Sequence, residues 1–84
     1  MIPLSLARLA EITGAALDEV PDASVLVTGP VIIDSREARP GALFAALPGT
    51  RVDGHDYARA AVTAGAAVVL ATRPCGVPAL LVPD

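Results

Sequence analysis

The side chains that could do chemistry are concentrated in one stretch, Asp34 to Asp56. It contains the triplet Asp34-Ser35-Arg36, the run Pro48-Gly49-Thr50-Arg51, and the run Asp53-Gly54-His55-Asp56. The triplet offers a hydroxyl, a backbone N–H and a guanidinium fork, which suit phosphate or carboxylate oxygens. The last run combines two carboxylates with the single histidine and invites a metal or acid-base interpretation.

Each group also has a purely structural interpretation. Asp34 could form a turn with its own backbone and pair with Arg36 or Arg39 on the surface. In the second run Gly49 could let a ligand approach the backbone closely, whereas the structural interpretation is an ordinary turn after a strand. Both interpretations of these two groups stay open at the level of sequence.

The histidine-containing run is the one whose chemical interpretation we discount. A closed metal site needs three or four ligands, and suitable residues are lacking elsewhere in the chain, so we predict no metal. Asp53 or Asp56 could instead cap a helix while a hydrogen bond fixes His55. Ser35 has no base and no elbow motif around it, so we expect no catalytic residue.

Bulk composition narrows the class of protein. A chain of 84 residues has room for one small domain. Its net charge of −3, with six Arg and no Lys, argues against a nucleic-acid platform. The single Cys75 fits a reducing compartment, and neither a signal-like segment nor a membrane-spanning run is evident. We therefore expect a soluble, cytoplasmic protein.

The first half of the chain predicts one helix and several short strands. Ser5 is a good N-cap and Gly14 a left-handed stop, which predicts a helix over 6–13. A short strand is expected within 15–20. The β-branched runs 25–27 and 31–33 are separated by Thr28-Gly29-Pro30, which could be a bend or a bulge within one extended segment.

The second half predicts a strand-helix-strand unit and a final strand. The apolar run 43–47 is typical of a strand covered on both faces, and we place it centrally in the sheet. A helix over 57–64 should pack through Tyr57, Ala61 and Ala64. Strand 66–71 should then lie parallel to 43–47, and 79–82 forms the last strand. The fold class is α/β, a small mixed, partly parallel sheet with helices packed on it.

The combined pattern resembles the amino-terminal domain of the Mur ligases, ATP-dependent enzymes that build the peptide of the bacterial cell wall. The resemblance rests on Asp34-Ser35-Arg36, on Pro40-Gly41-Ala42-Leu43-Phe44-Ala45-Ala46-Leu47-Pro48-Gly49 and on Asp53-Gly54-His55-Asp56. Within the family it looks most like the step that adds D-alanyl-D-alanine to UDP-N-acetylmuramoyl-tripeptide. The alternatives are the preceding ligase, which adds meso-diaminopimelate or lysine, and a non-catalytic protein-docking module.

The resemblance implies a role for each group. The residues Asp34, Ser35 and Arg36 would hold the UDP end of the substrate. The run Pro48, Gly49, Thr50 and Arg51 would lie beside the uracil and muramoyl parts, and Arg51, Asp53 and His55 would face the third residue of the peptide.

The resemblance also implies a division of labour within a longer enzyme. Residues 1–84 would be a single recognition domain, with the central ATPase and C-terminal domains outside this chain as its partners. The phosphate-binding motif G-x-x-x-x-G-K-[ST] is absent, so ATP and Mg²⁺ would belong to the full-length enzyme. We expect the chain alone to have neither ligase nor ATPase activity.

Overall fold

The computed structural model describes residues 3–46 and 53–83. In these ranges the chain forms seven short strands, two α-helices and two 3-10 turns. In chain order these are β1 (Leu4–Ser5), α1 (Leu6–Thr13), β2 (Ala16–Asp18), β3 (Leu26–Val27), β4 (Val31–Ile32), a 3-10 turn (Ser35–Glu37), β5 (Leu43–Ala45), a 3-10 turn (Gly54–Tyr57), α2 (Ala58–Thr63), β6 (Val68–Ala71) and β7 (Ala79–Leu81).

Helix α1 has the bounds that its capping residues predict. The hydroxyl of Ser5 accepts a hydrogen bond from the Arg8 backbone N–H at 3.1 Å, which satisfies one of the free donors of the first turn. Gly14 ends the helix with φ of 72°, a conformation in which glycine carries no steric penalty. The helix buries Leu6 against the sheet.

The main sheet has five strands in the order β2-β7-β6-β5-β4. Strands β4, β5, β6 and β7 are parallel, while β2 is antiparallel to β7. The architecture is the mixed, partly parallel α/β sheet that the sequence predicts. None of the helices in the described ranges is long and apolar enough to cross a bilayer.

The two β-branched runs are separate strands in separate sheets. β3 pairs with β1 in a small antiparallel sheet, whereas β4 pairs with β5. The backbone N–H groups of Thr28 and Gly29 both donate to the carbonyl of Gly41, at 3.0 and 2.9 Å. These bonds turn the chain between the runs, so the interpretation as one bent segment is wrong.

Strand β5 is covered on both faces but is not the middle strand. Phe44 and Ala46 lie in the cluster beneath α2, and Leu43 and Ala45 lie in the cluster beneath α1. The predicted double burial is therefore confirmed. Within residues 3–46 and 53–83, the central position belongs to β6, because β7 and β2 both add on its far side and β4 alone lies beyond β5.

The packing face of α2 differs from the predicted one. Ala58 and Ala61 are fully buried, whereas Tyr57 and Ala64 are exposed. Tyr57 belongs to the preceding 3-10 turn, which has three residues per turn and therefore sets a different phase for the helix that follows. The small alanine face still allows α2 to approach the sheet closely.

The end of α2 generates a stability prediction. Gly65 has φ of 116°, and a Cβ built there would lie 2.9 Å from the nitrogen of Pro40. Gly65→Ala should therefore lower the free energy of unfolding by about 2–4 kcal/mol, through backbone strain and overpacking. Urea denaturation measures the change.

The matched control for this substitution is Gly14→Ala. Gly14 also has positive φ, but nothing lies within 4 Å of an added Cβ. The control should lose only the conformational term, about 1–2 kcal/mol. Equal losses at both positions would show that contact with Pro40 contributes nothing.

Candidate functional site

The candidate site lies at the carboxyl edge of the parallel strands. Ile32 of β4 is in register with Phe44 of β5, and Phe44 with Val69 of β6, so the three strands end at the same edge. Asp34 leaves β4 there, and Thr72 follows β6 there. Two interstrand spacings separate these strands, roughly 10 Å. Ligands of open α/β sheets bind at this kind of edge.

The β4 corner is built around the carboxylate of Asp34. One of its oxygens accepts the Arg36 backbone N–H at 2.9 Å, which caps the 3-10 turn. The Arg36 guanidinium grips the same carboxylate, with Nε at 3.1 Å and Nη2 at 2.7 Å. The hydrogen bonds from the Arg36 side chain, which contribute most, and from its backbone N–H together lower the pKa of Asp34 to about 2.

The structural interpretation of this triplet is therefore observed, with Arg36 as the partner of Asp34. The Arg36 side chain nevertheless stays 88% exposed, so part of its fork faces solvent. Ser35 is half-buried at the start of the turn, where its carbonyl accepts the Ala38 N–H. The corner thus presents a cation at the sheet edge and fixes its position through a carboxylate.

The second corner is built around His55, whose ring is buried. Its side chain is 1% exposed, and both ring nitrogens are hydrogen-bonded. The backbone N–H of Thr72 donates to Nε2 at 3.0 Å, so Nε2 carries no proton. Nδ1 therefore holds the proton and donates it to Asp53 at 2.5 Å. Both ring nitrogens are thus engaged within the protein, and the buried ring is closed to a ligand.

Asp53 joins this histidine to Arg73. The oxygen that accepts from the ring also accepts the His55 backbone N–H at 3.0 Å, which caps the second 3-10 turn. The other oxygen accepts from Arg73 Nη1 at 2.7 Å. The backbone bond, the imidazole and Arg73, in that order, hold the pKa of Asp53 well below its usual range. The prediction that Asp53 or Asp56 caps helix α2 is wrong, because Asp53 caps the preceding 3-10 turn and α2 begins after Tyr57 without a side-chain cap.

Sequence reasoning missed Thr72 and Arg73 as members of this site. The available signal was positional, because both follow directly after β6, as Asp34 follows soon after β4. Their partners are 17 and 20 residues away in the chain, beyond the reach of local motifs. Pairing across the sheet edge is what brings them together.

Other chemistry has little support in the described part of the chain. Across residues 3–46 and 53–83, no three His, Cys, Asp or Glu side chains gather as a metal site. Burial raises the pKa of the Cys75 thiol, whose Sγ donates to the Arg73 carbonyl, so this cysteine is a poor nucleophile.

Four residues of the predicted site belong to a part of the chain that the structure does not describe. Pro48, Gly49, Thr50 and Arg51 lie outside the described residues. Their position beside the uracil and muramoyl parts of the substrate stays a prediction.

Comparison with known proteins identifies the family. The profile described as Mur ligase family, catalytic domain, matches residues 30–78, which include β4 to β6 and both corners of the site. The chain belongs to the Mur ligase family. The sequence-based resemblance is thereby confirmed at the level of the family.

Relatives of this Mur ligase chain carry two activities in their names. The UDP-N-acetylmuramoyl-tripeptide–D-alanyl-D-alanine ligases of Mycobacterium tuberculosis and Mycobacterium bovis are each 56% identical over 86 aligned residues, covering 99% of this chain and 17% of the relative. The UDP-N-acetylmuramoyl-L-alanyl-D-glutamate–2,6-diaminopimelate ligase of Streptomyces coelicolor is 46% identical over 87 residues, covering 94% and 16%. The chain therefore spans about a sixth of the length of these relatives.

Solved structures agree with this assignment. MurF from Acinetobacter baumannii superimposes with a TM-score of 0.79 at 29% identity, covering 98% of this chain and 18% of the other. A second crystal structure of the same protein gives a TM-score of 0.81 at 27% identity. The α/β fold described above is thus the fold of a segment of MurF.

The lowered pKa of Asp53 generates a pH prediction. A carboxylate whose pKa is depressed in the folded state stabilises it above the unfolded pKa, about 3.9, and loses that contribution as the pH falls through the folded value. Asp53→Asn should therefore reduce stability at pH 7, and the difference from the parent should shrink steadily from about pH 5 toward pH 2. Urea denaturation at a series of pH values measures both curves.

Glu11→Gln is the control for this measurement, since it removes an exposed carboxylate that pairs with Arg8 on the far helix. It should produce a smaller change at pH 7. A gap between parent and Asp53→Asn that stays constant down to pH 2 would contradict the assigned role of the carboxylate.

Proposed function

We propose that this chain is the substrate-recognition domain of the ATP-dependent ligase that adds D-alanyl-D-alanine to UDP-N-acetylmuramoyl-tripeptide in bacterial peptidoglycan synthesis. The observation that carries the proposal is the 56% identity, over 99% of the chain, to relatives named for that activity. Identity to the diaminopimelate-adding relative is lower, at 46%. The preceding ligase step is therefore the less favoured alternative.

The chemistry of the β4 corner supports binding of the nucleotide end. A diphosphate carries oxygens that a guanidinium can grip at two points, and Arg36 stands exposed at the sheet edge. Ser35 lies next to it with a hydroxyl group to offer. In this proposal Asp34 orients Arg36, and Pro48, Gly49, Thr50 and Arg51 complete the contact with uridine and the muramoyl sugar.

The domain would supply position while other parts of the ligase make the bond. Holding a reactant in the right orientation can remove up to about 7–11 kcal/mol from a barrier in favourable cases. ATP and Mg²⁺ would bind outside this chain, because it has no lysine and hence no phosphate-binding loop of the G-x-x-x-x-G-K-[ST] form. The rest of the ligase would be its partner.

The substrate of the proposed reaction is anionic beyond its diphosphate. The name of the Streptomyces coelicolor relative specifies a peptide that contains D-glutamate and to which 2,6-diaminopimelate is added. Both are dicarboxylic amino acids, so each keeps a carboxylate after it is linked through the other one. A recognition domain for this substrate would therefore benefit from more than one cation at its edge.

A docking role for the exposed edge of the sheet is a second candidate. Val31 in edge strand β4 is 56% exposed, and Ile33 directly after it is 68% exposed. The backbone of an edge strand can pair with another polypeptide, and exposed apolar side chains on that strand can pack against it. This candidate predicts binding to protein without binding to nucleotide.

Titration calorimetry with UDP and with UDP-N-acetylmuramoyl-tripeptide tests the recognition proposal. Both should give saturable heat with this chain, while uridine, which lacks the diphosphate, should bind far more weakly because the contacts to Arg36 are lost. The complete ligase provides a second arm. Absence of saturable heat in both arms at millimolar ligand would leave the docking role as the better account.

Arg36→Ala should weaken binding of UDP-N-acetylmuramoyl-tripeptide by about 1.5–3 kcal/mol, the scale of a lost charged hydrogen bond. The fold should survive, because the donor that caps the 3-10 turn is the backbone N–H of residue 36. The Michaelis constant of the complete ligase for this substrate measures the loss. Arg39→Ala, a neighbouring exposed arginine, is the control, and an unchanged constant for Arg36→Ala would remove Arg36 from the site.

A further inference from the structure

We propose that Arg73 is the residue of the second corner that binds substrate, through a carboxylate of the peptide, and that Asp53 and His55 position it. This inference rests on the proposed function. It replaces the expectation that Asp53 and His55 themselves contact the third residue of the peptide.

His55 is unsuited to a contact with the ligand because both of its ring nitrogens are used within the protein. Thr72 donates to one and Asp53 accepts from the other, and the side chain is 1% exposed. A ligand could bond to the ring only by breaking its bond to Asp53 or its bond to the Thr72 backbone. His55 therefore acts by holding Asp53 in position, and Asp53 in turn holds Arg73.

Asp53 is also unsuited, for reasons of charge and occupancy. Its carboxylate already accepts from the His55 backbone, the His55 ring and Arg73. Its depressed pKa keeps it negative, so it would repel a carboxylate or phosphate of the substrate. What it can do is fix the direction of Arg73.

Arg73 has the properties that its two neighbours lack. Its side chain is 51% exposed, the bond to Asp53 uses Nη1 at 2.7 Å, and Nη2 lies 3.9 Å from Asp56, which is beyond hydrogen-bond distance. A guanidinium carries five N–H donors in a rigid fork, so donors remain for an anion. Because Asp53 already holds the fork, little conformational freedom is left to lose when an anion binds.

The same arrangement occurs at the β4 corner. There Asp34 caps a 3-10 turn by accepting the N–H two residues ahead and grips Arg36; at the β6 corner Asp53 caps in the same way and grips Arg73. The two corners follow β4 and β6, strands that are two interstrand spacings apart, roughly 10 Å. A diphosphate held by Arg36 would therefore leave Arg73 for a second anionic group, and the peptide supplies one.

The test compares two ligands on one set of variants of the complete ligase. Titration calorimetry with UDP-N-acetylmuramoyl-tripeptide should show Arg73→Gln about tenfold weaker than the parent or worse, the loss expected for a charged hydrogen bond. Titration with UDP, which has no peptide, should give the same affinity for both within about twofold, a difference well under one kcal/mol. Arg73→Lys keeps the charge without the fork and should fall between them.

Arg8→Gln is the matched control, because Arg8 is another half-exposed arginine paired with a carboxylate, on α1. It should bind both ligands like the parent. Thermal melting of every variant separates binding from loss of fold.

Three results would overturn the assignment of Arg73. One is an Arg73→Gln variant that binds the tripeptide ligand like the parent. Another is an equal loss for UDP and for the tripeptide ligand, which would mean that Arg73 only supports the fold of the corner. Failure of the parent ligase to bind either ligand would overturn the proposed function together with this inference, whereas the first two results leave that function standing.

Discussion

Parallel pairing of β4, β5, β6 and β7 is the constraint on which the site depends. A parallel strand must be followed by a crossover before the next one begins, so every strand in the set points the same way. The crossovers place α2 on one face, and α1 with the small β1–β3 sheet covers the other. Parallel pairing thus accounts both for the burial of the two faces of the sheet and for the alignment of the carboxyl ends of its strands. Polar residues that follow those ends therefore lie at the same edge of the sheet.

Ion pairs then fix the side chains that strand pairing places at this edge. Each corner uses one aspartate twice, as the cap of a short 3-10 turn and as the anchor of an arginine. The turn fixes the carboxylate, and the carboxylate fixes the cation. Charge is therefore presented to solvent in a defined place, although the net charge of the chain is negative. Composition alone would not have suggested that two held cations stand at one edge.

The parts of the fold that could be predicted are those set by neighbouring residues. Helix α1 has local signals at both ends in Ser5 and Gly14, and the apolar run around Phe44 is bounded by turn formers. Of the parts that were wrong, one depends on a distant partner and the other on a local turn that the sequence analysis did not predict. The separation of β3 from β4 depends on bonds to the Gly41 carbonyl, and the phase of α2 depends on a 3-10 turn that Asp53 caps.

The candidate site shows the same division. The sequence identified Asp34, Arg36 and Asp53 as candidate site residues. It also offered an ion pair between Asp34 and Arg36 as the structural interpretation of the triplet. The pairing of Asp53 with Arg73 was not, because it spans the helix and strand that lie between them. Local motifs identify which side chains are available, while sheet pairing decides which of them meet.

The enclosed imidazole has a practical consequence. The chain has one histidine, and its ring is sealed by Asp53 and Thr72. A reagent that acylates free imidazole should consequently find no target while this corner is shut. The rate at which His55 is modified would report how often the end of β6 separates from the 3-10 turn Gly54–Tyr57. This local opening need not involve unfolding of the whole molecule. His55 is thus a chemical reporter of local opening at the carboxyl edge of the parallel strands.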